Sequence, residues 1–292
     1  MARERGLSKQ VQDVLDGKLK IGQSRYADKP FGVTSDHIYS WSTYRAYLKH
    51  GCYFVKWAKD AHKSKTLEEA RAHVDEYLLK RMEADKVSPY TQKLEAAALA
   101  KLYGCTTNDF VKTEVRHRDS ITRSRGAKKR DRHFSENRNQ EFVDFCKSTG
   151  LRRSEIKTLR GNQLEYDEKT GMYTLNIVGK GGRRRTSPVL SMAAVERIRC
   201  SEAGLVWDKI PNGADIHSYR ADYCTAIYNR YARQRKEIPL TDRYCCRGDL
   251  RGVWYDKRAM EVATRALGHN RISVIAGHYI RKEDESDSNG SS

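Results

Sequence analysis

The sequence lacks the paired cysteines that commonly hold a metal ion. Its seven cysteines are odd in number and scattered, and no two have the two-residue spacing of a zinc site. Cys245 and Cys246 are adjacent, which is too close for comfortable chelation of one ion. This pattern predicts free thiols in a reduced, cytoplasmic compartment and no metal site.

The sequence also lacks an apolar run long enough to cross a bilayer, and no signal-peptide core follows the first methionine. Proline is scarce, with 5 residues, and aromatic residues are ample, which argues against wholesale disorder. Acidic residues are in deficit: 38 Asp and Glu face 56 Lys and Arg, a formal net charge of +18. Such an excess predicts a polyanionic partner, and without a membrane segment that partner is nucleic acid.

Composition predicts five segments along the chain. The first segment, residues 1–34, is polar, with a short helix around Leu7–Leu15. It is either a disordered leader or an arm that touches DNA. The segments are an N-terminal extension (1–34), a helical domain (35–113), a basic linker (114–134), a second domain (135–281) and a polar tail (282–292).

The second segment carries helix start and stop signals. Thr66 and Glu69 form a capping box ahead of an amphipathic run, and Ser88-Pro89 opens a helix that Gly104 ends. These signals predict a small all-α bundle whose lysines and arginines are either ordinary solvated residues or phosphate contacts.

The linker cannot bury a core, because it is almost free of apolar residues. It is either a solvated tether or a basic arm that lets the two domains grip a DNA duplex. Its candidate DNA-binding residues are Arg116, Arg118, Arg123, Arg125, Lys128, Lys129, Arg130 and Arg132.

The second domain mixes helices with a small antiparallel sheet. One helix ends at Gly150, strands over Tyr173–Ile177 and Arg183–Leu190 flank a glycine-rich turn, and another helix opens at His217. After an irregular insertion at 234–255, Asp256 caps a last helix that ends at Gly268. The predicted fold class is α+β, mainly α: a small helical domain followed by a mixed domain.

Four short motifs follow one another in the second domain. Each alone could be a helix end, a surface turn or a solvated arginine. In this order they resemble the tyrosine recombinases, the lambda-integrase-like family of phage and mobile-element integrases. The resemblance is close over roughly the last 150 residues, whereas the helical domain and linker resemble the family's core-binding region only in kind. The motifs are Thr149-Gly150-Leu151-Arg152-Arg153-Ser154-Glu155, Gly179-Lys180-Gly181, His217-Ser218-Tyr219-Arg220, and Leu267-Gly268-His269 followed by Tyr279.

The resemblance implies that Arg152 and Arg220 clamp the scissile phosphate. The chemistry agrees, since charge on the non-bridging oxygens must be held through the transition state. Planar guanidiniums, always protonated and able to bind bidentately, suit that role better than lysines.

The resemblance assigns the reacting groups as well. Tyr279 is the implied nucleophile and Lys180 the implied general acid that protonates the leaving 5′-oxygen. His217, three residues before Arg220 on the same helical face, assists as acid–base. His269 donates a hydrogen bond to a non-bridging oxygen.

Further residues are expected to support these groups. Glu155, one turn from Arg152, positions active-site groups rather than reacting. His278 competes with His269 as a phosphate ligand. Basic residues at the start of the returning strand are additional candidate DNA contacts: Arg183, Arg184 and Arg185.

Two features depart from the family pattern. Tyr279 follows His269 by ten residues, one more than the commonest spacing, and the 234–255 insertion lengthens the path from Arg220 to His269. Both place the local geometry in question. The short polar tail does the same for the C-terminal helix exchange by which many relatives assemble.

The expected function is site-specific DNA recombination through a 3′-phosphotyrosyl intermediate, for a phage or another mobile element. No metal, ATP or other cofactor is needed, because the phosphotyrosine conserves the bond energy. The expected partners are double-stranded DNA, three further copies in a homotetramer on DNA, and accessory DNA-bending proteins, with no membrane. The alternatives are a type IB topoisomerase, a catalytically inactive DNA-binding relative, and a basic RNA- or chromatin-binding protein.

Overall fold

A computed structural model of the chain divides into two compact units, Met1–Arg123 and Ser124–Ser292. The polar tail expected at 282–292 and most of the basic linker lie outside the residues that it describes. Those residues are 6–117, 134–179, 182 and 184–280.

The first unit is helical, as its sequence signals predict. Ser40 caps the longest of the described helices by accepting from the Thr43 amide at 3.2 Å. The forward cap of Thr66 and the Ser88-Pro89 start are confirmed. The return bond of the predicted capping box differs, because Glu69 accepts from the Lys65 amide at 2.7 Å. The helices are α1 (Leu7–Asp16), α2 (Arg25–Asp28), α3 (Trp41–His62), α4 (Leu67–Arg71), α5 (Val74–Glu83) and α6 (Pro89–Tyr103).

Helix α1 belongs to the core of this unit. Leu7, Val11 and Leu15 recur at helical spacing, and all three are buried in the same cluster as residues of α3. Gly51 on α3 permits the contact, because a Cβ there would approach Val11 Cγ1 to 2.8 Å. Residues 7–16 are therefore part of the bundle, in place of the separate extension expected for 1–34.

A buried carboxylate joins three helices of the bundle. Glu95 on α6 is fully buried and accepts hydrogen bonds from Arg81 Nη2 on α5 at 2.8 Å and His50 Nδ1 on α3 at 3.2 Å. Burial alone would raise the pKa of Glu95, but the bonds from His50 and Arg81 outweigh it and lower that pKa. The carboxylate therefore stays ionised and paired inside the unit.

The second unit is built from six helices and two small sheets within its described residues. Its helices are α7 (Gln140–Thr149), α8 (Arg153–Ile156), α9 (Met192–Arg199), α10 (Ile216–Tyr231), α11 (Lys257–Leu267) and α12 (Ile272–His278). Its strands are β1 (Leu164–Asp167), β2 (Met172–Val178), β3 (Arg184–Pro188), β4 (Arg243–Cys245) and β5 (Trp254–Asp256).

The larger sheet is antiparallel, in the order β1-β2-β3. Leu175 of β2 lies opposite Leu164 of β1 and Ser187 of β3. Leu175 and Ile177 are buried, while Asn176 between them is exposed, as the alternation predicts. Strand β1 was not predicted because it is only four residues long. Its apolar and polar residues alternate, but its side chains are half-buried or exposed.

The insertion expected to be irregular contains a short hairpin, β4–β5. Its return strand ends at Asp256, a fully buried carboxylate. Asp256 caps α11 by accepting from the Arg258 amide at 3.0 Å, and it also accepts from Arg233 Nη2 at 2.7 Å. These bonds fix the start of the helix that leads to His269.

Helix α10 lies between the two apolar cores of this unit. Its Tyr219 packs into the core formed by α7, the larger sheet and α9. Its Tyr223 and Ile227 pack into the core that includes residues of α11 and α12. The first two turns of α10, which carry the predicted His217 and Arg220, therefore pack next to both cores.

None of the helices in the described part of the chain combines the length and apolarity that crossing a membrane requires.

Candidate active site

Arg152 precedes α8 directly after a chain reversal at Gly150. Gly150 has φ 60°, in the left-handed region, and a Cβ there would come within 2.1 Å of the Tyr223 ring. Only glycine satisfies both conditions. The carbonyl of Gly150 accepts a hydrogen bond from Arg220 Nη1, so the reversal links the two predicted clamp arginines.

Glu155 is a carboxylate that binds both Arg152 and Arg185. Its Oε2 accepts from the Arg152 backbone amide at 2.7 Å, and its Oε1 accepts from Arg152 Nη1 at 2.7 Å. Arg185 binds both oxygens, with Nη1–Oε1 2.9 Å and Nη2–Oε2 2.8 Å. Burial alone would raise the pKa of Glu155, but the hydrogen bonds from Arg185 and the Arg152 amide hold it at about 2. Glu155 is therefore an anion at any physiological pH.

The C-terminal end of α11 receives three guanidinium groups. The helix ends in a Schellman motif, in which the amides of Gly268 and His269 donate to the carbonyls of Arg265 and Thr264. The carbonyl of Leu267 accepts from Arg220 Nη2 and, at 3.4 Å, from Arg152 Nη2. The carbonyl of Ala266 accepts from Arg185 Nε at 3.0 Å. The negative end of the helix dipole thus faces three cations.

Arg220 is the most buried of the three, with 1% of its surface exposed. Burial first, and then the positive charge of Arg152, lower the pKa of Arg220 to about 10. It remains protonated at physiological pH. Its Nε is buried and has no hydrogen-bond partner among the described residues. A buried cation with an unused donor favours an anionic ligand.

Tyr279 lies among the other predicted active-site groups. Its ring centroid is 5.1 Å from that of His217 and 5.1 Å from that of His269, and Arg220 Cζ is 5.7 Å from it. The side chain is buried, at the C-terminus of α12. The structure thus brings together residues from α10, from the end of α11 and from the end of α12.

His269 is held as a neutral imidazole. Burial is the main cause, and the positive charges of Arg220, Arg152 and Arg185 add to it, so that the pKa of His269 falls to about 4. Its Nε2 is buried without a hydrogen-bond partner among the described residues. A neutral imidazole can donate one hydrogen bond without adding another charge to the site.

His278 differs from His269 in its placement. It is exposed at the last residue of α12, whereas the next residue, Tyr279, is buried against His269. The short α12 therefore accommodates the ten-residue spacing, and the tyrosine reaches the histidine that the motif indicates.

Several predicted residues lie outside the described part of the chain. They include the predicted general acid Lys180. The glycines on either side of it, Gly179 and Gly182, are described, and the Gly182 amide donates to the Gly179 carbonyl at 3.1 Å. The others are Arg118, Arg123, Arg125, Lys128, Lys129, Arg130, Arg132 and Arg183.

The remaining candidate DNA contacts fall into two kinds. Arg116 is exposed, with its guanidinium 5.6 Å from the Tyr90 ring centre, and Arg184 is exposed on β3. Arg185 differs from that expectation: 4% of its side chain is exposed, and its donors are engaged by Glu155 and Ala266. Strand alternation contains the signal, because Arg185 pairs with the buried Ile177, but the basic run Arg183–Arg185 obscured it.

One cluster outside this site has metal-binding residue types. His62, His73 and Glu76 bring ligand atoms close together, with His62 Nε2–Glu76 Oε2 3.1 Å and His73 Nδ1–Glu76 Oε2 3.6 Å. The two imidazoles are stacked, with centroids 3.6 Å apart and planes 9° from parallel. In-plane lone pairs of stacked rings cannot both point at one ion, so this arrangement is not preorganised for a metal.

The fold is that of the tyrosine recombinases, as the order of the motifs predicts. The assignment rests on the crystal structure of XerH, a site-specific recombinase bound to a palindromic difH substrate in a post-cleavage complex. It matches with a TM-score of 0.51 and 14% identity over 95% of this chain and 91% of that chain. At this identity the likeness establishes the fold, and the predicted fold class is confirmed.

Two further structures show weaker likeness. XerH bound to difH in a pre-cleavage complex has a TM-score of 0.47 and 15% identity over 93% of this chain and 90% of that chain. XerA recombinase has a TM-score of 0.30 and 12% identity over 94% of this chain and 95% of that chain. No family model and no curated protein matches the sequence.

The contact between Gly268 and Arg185 can be tested by substitution. Gly268 has φ 69°, and a Cβ there would come within 2.7 Å of Arg185 Cδ. Gly268→Ala should lower the free energy of unfolding of the second unit by more than the roughly 1–2 kcal/mol that left-handed alanine costs. Native-state hydrogen exchange measures it. Gly104→Ala is the matched control, measured on the first unit: Gly104 also ends a helix with φ 64°, but the nearest atom to a Cβ there lies at 4.0 Å. Equal losses for the two variants would contradict the contact.

The neutral state of His269 can be tested by pH titration. By NMR, its imidazole should titrate near pH 4, because burial and the arginines lower its pKa to about 4. Unfolded chains bind the proton at about pH 6.5. Stability should therefore decline as the pH falls from about 6.5 towards 4. His269→Asn should remove that part of the decline and assign the resonance. A midpoint near 6.5 would contradict this environment.

Proposed function

We propose that this protein is a site-specific DNA recombinase that cleaves and rejoins DNA through a 3′-phosphotyrosyl intermediate. The observation that carries the proposal is the position of Tyr279, whose ring lies 5.1 Å from those of His217 and His269 and beside Arg220. A phenol, two imidazoles and a guanidinium at this spacing support nucleophilic attack on a phosphodiester.

The charge of the site favours a phosphate. Arg152, Arg185 and Arg220 converge on the end of α11, and Glu155 is the one carboxylate bound to them among the described residues. Three positive charges against one negative charge leave an excess of two. A phosphodiester brings one negative charge at rest and more in the transition state, and fixed guanidiniums stabilise that charge.

The proposed reaction exchanges one phosphorus–oxygen bond for another. The phenolic oxygen of Tyr279 attacks the phosphorus and the bond to the 5′-oxygen breaks. His217 accepts the phenol proton while Lys180 gives a proton to the leaving 5′-oxygen. The neutral His269 donates a hydrogen bond to a non-bridging oxygen. Rejoining follows when a 5′-hydroxyl from the partner duplex attacks the phosphotyrosine. The covalent link conserves the bond energy, so the exchange needs no ATP and no metal.

The positive charge outside the candidate active site supports binding to double-stranded DNA. The net charge of +18 and the basic linker would neutralise several phosphates along the duplex. Strand exchange between two duplexes requires four active sites, which is the basis for proposing a homotetramer on DNA. We assign the activity to a phage or another mobile element, acting in the cytoplasm with accessory DNA-bending proteins.

The assignment of the nucleophile can be tested on a nicked suicide substrate. Tyr279→Phe should bind DNA as the wild type does but form no covalent adduct, because the attacking oxygen is gone. The adduct is measured by its slower migration in denaturing gels. Tyr231→Phe is the matched control: Tyr231 is on α10 and 40% exposed, and this variant should form adduct at the wild-type rate. Adduct from Tyr279→Phe would assign the chemistry to another tyrosine.

The roles of acid and clamp can be separated with a modified substrate. Lys180→Ala should cleave ordinary DNA slowly but recover when sulfur replaces the bridging 5′-oxygen, because sulfur leaves without a proton. Arg152→Ala and Arg220→Ala should not recover, since they stabilise charge on other oxygens. Single-turnover cleavage rates on the two substrates measure this. Equal recovery of all three variants would remove Lys180 from its proposed role.

A further inference from the structure

We propose that Arg185 is a positioning residue that holds the clamp Arg152, the C-terminal end of α11 and the β2–β3 hairpin in one fixed arrangement. The inference rests on the proposed function, because it concerns the same site. It replaces the expectation that Arg185 contacts DNA.

The first connection is to the clamp. Arg185 and Glu155 form a two-pronged ion pair whose side chains are 4% and 3% exposed. The same carboxylate receives the backbone amide and Nη1 of Arg152. Without Arg185, Glu155 would lose two of these four bonds and one of its two cationic partners. Its orientation, and with it that of Arg152, would no longer be fixed.

The second connection is to the helix end that carries His269. Arg185 Nε donates to the carbonyl of Ala266 at 3.0 Å, three residues before His269. The Arg185 stem passes directly against Gly268, where a Cβ would come within 2.7 Å of Cδ. The arginine therefore packs and bonds against the turn that presents His269 to the Tyr279 ring.

The third connection is to the hairpin. Arg185 is the second residue of β3, paired with Ile177 of β2, and the turn that contains Lys180 joins these strands. Its inward side chain anchors the base of the hairpin to the site. An arginine is needed, because only a planar guanidinium binds a carboxylate bidentately and still offers Nε to a third acceptor.

The experiment compares Arg185→Lys with Arg197→Lys in the full-length protein. Arg197 is a matched control: it also binds a carboxylate, Glu141 at 2.9 Å, and a backbone carbonyl, but it contacts no residue of the site. At saturating DNA, Arg185→Lys should slow single-turnover adduct formation by about 10- to 100-fold, the effect of small misplacements of a reacting group. Arg197→Lys should not slow it.

A double-mutant cycle then separates positioning from a general structural loss. Because part of the effect of Arg185 passes through Arg152, adding Arg185→Lys to Arg152→Lys should slow adduct formation by a smaller factor than Arg185→Lys slows it in the wild type. A full multiplicative loss in the double variant would overturn the inference. DNA affinity and its salt slope should be unchanged in Arg185→Lys. An uncharged variant, Arg185→Gln, tests the alternative: a slope reduced by about one unit with a normal saturated rate would make Arg185 a phosphate contact instead, and would also overturn the inference.

A readout independent of catalysis keeps this inference distinct from the proposed function. The Arg152 amide is held by Glu155, so its hydrogen exchange should quicken in Arg185→Lys and stay slow in Arg197→Lys. If the wild type forms no adduct, the proposed function fails, and the exchange result alone decides the coupling. Unchanged protection in Arg185→Lys would overturn the coupling whether or not the wild type is active.

Discussion

The interaction on which the site depends is the capture of three guanidiniums by the C-terminal end of α11. Helix ends leave carbonyls without partners, and here Ala266 and Leu267 use theirs to hold Arg185, Arg220 and Arg152. These arginines come from β3, α10 and the start of α8, which are distant in sequence. Gathering them at one point brings together the elements that carry the candidate active-site residues.

This arrangement is costly for the free protein. Like charges repel, and burial adds a desolvation cost that is visible in the lowered pKa values of Arg220 and His269. Glu155 offsets part of the charge, and the apolar cores on either side of α10 stabilise the rest of the unit. A bound anion would relieve the same repulsion. Relief of this repulsion would therefore contribute to binding of the proposed phosphate ligand.

The sequence predicted which residues of the candidate site lie together better than it predicted the residues that support them. Arg152, Arg220, His269 and Tyr279 could be located because motif order and helix caps are local patterns, and the structure brings them together. The buried position of Arg185 was missed because a basic run resembles solvated surface until strand register is known. The packing of α1 and the existence of β1 were missed for a related reason: both are short, and their burial depends on partners far along the chain.

Gly268 carries a consequence for how such sequences can change. Two unrelated demands meet there, a left-handed backbone and room for the stem of Arg185. Asparagine tolerates the first demand but would still collide with the arginine. A shorter side chain in place of Arg185 would leave room for a Cβ at position 268, but Glu155 would then lose its bidentate partner. A substitution of either residue alone would therefore be unfavourable. Related chains that keep the inward arginine of β3 at the position of Arg185 should also keep the helix-ending glycine at the position of Gly268.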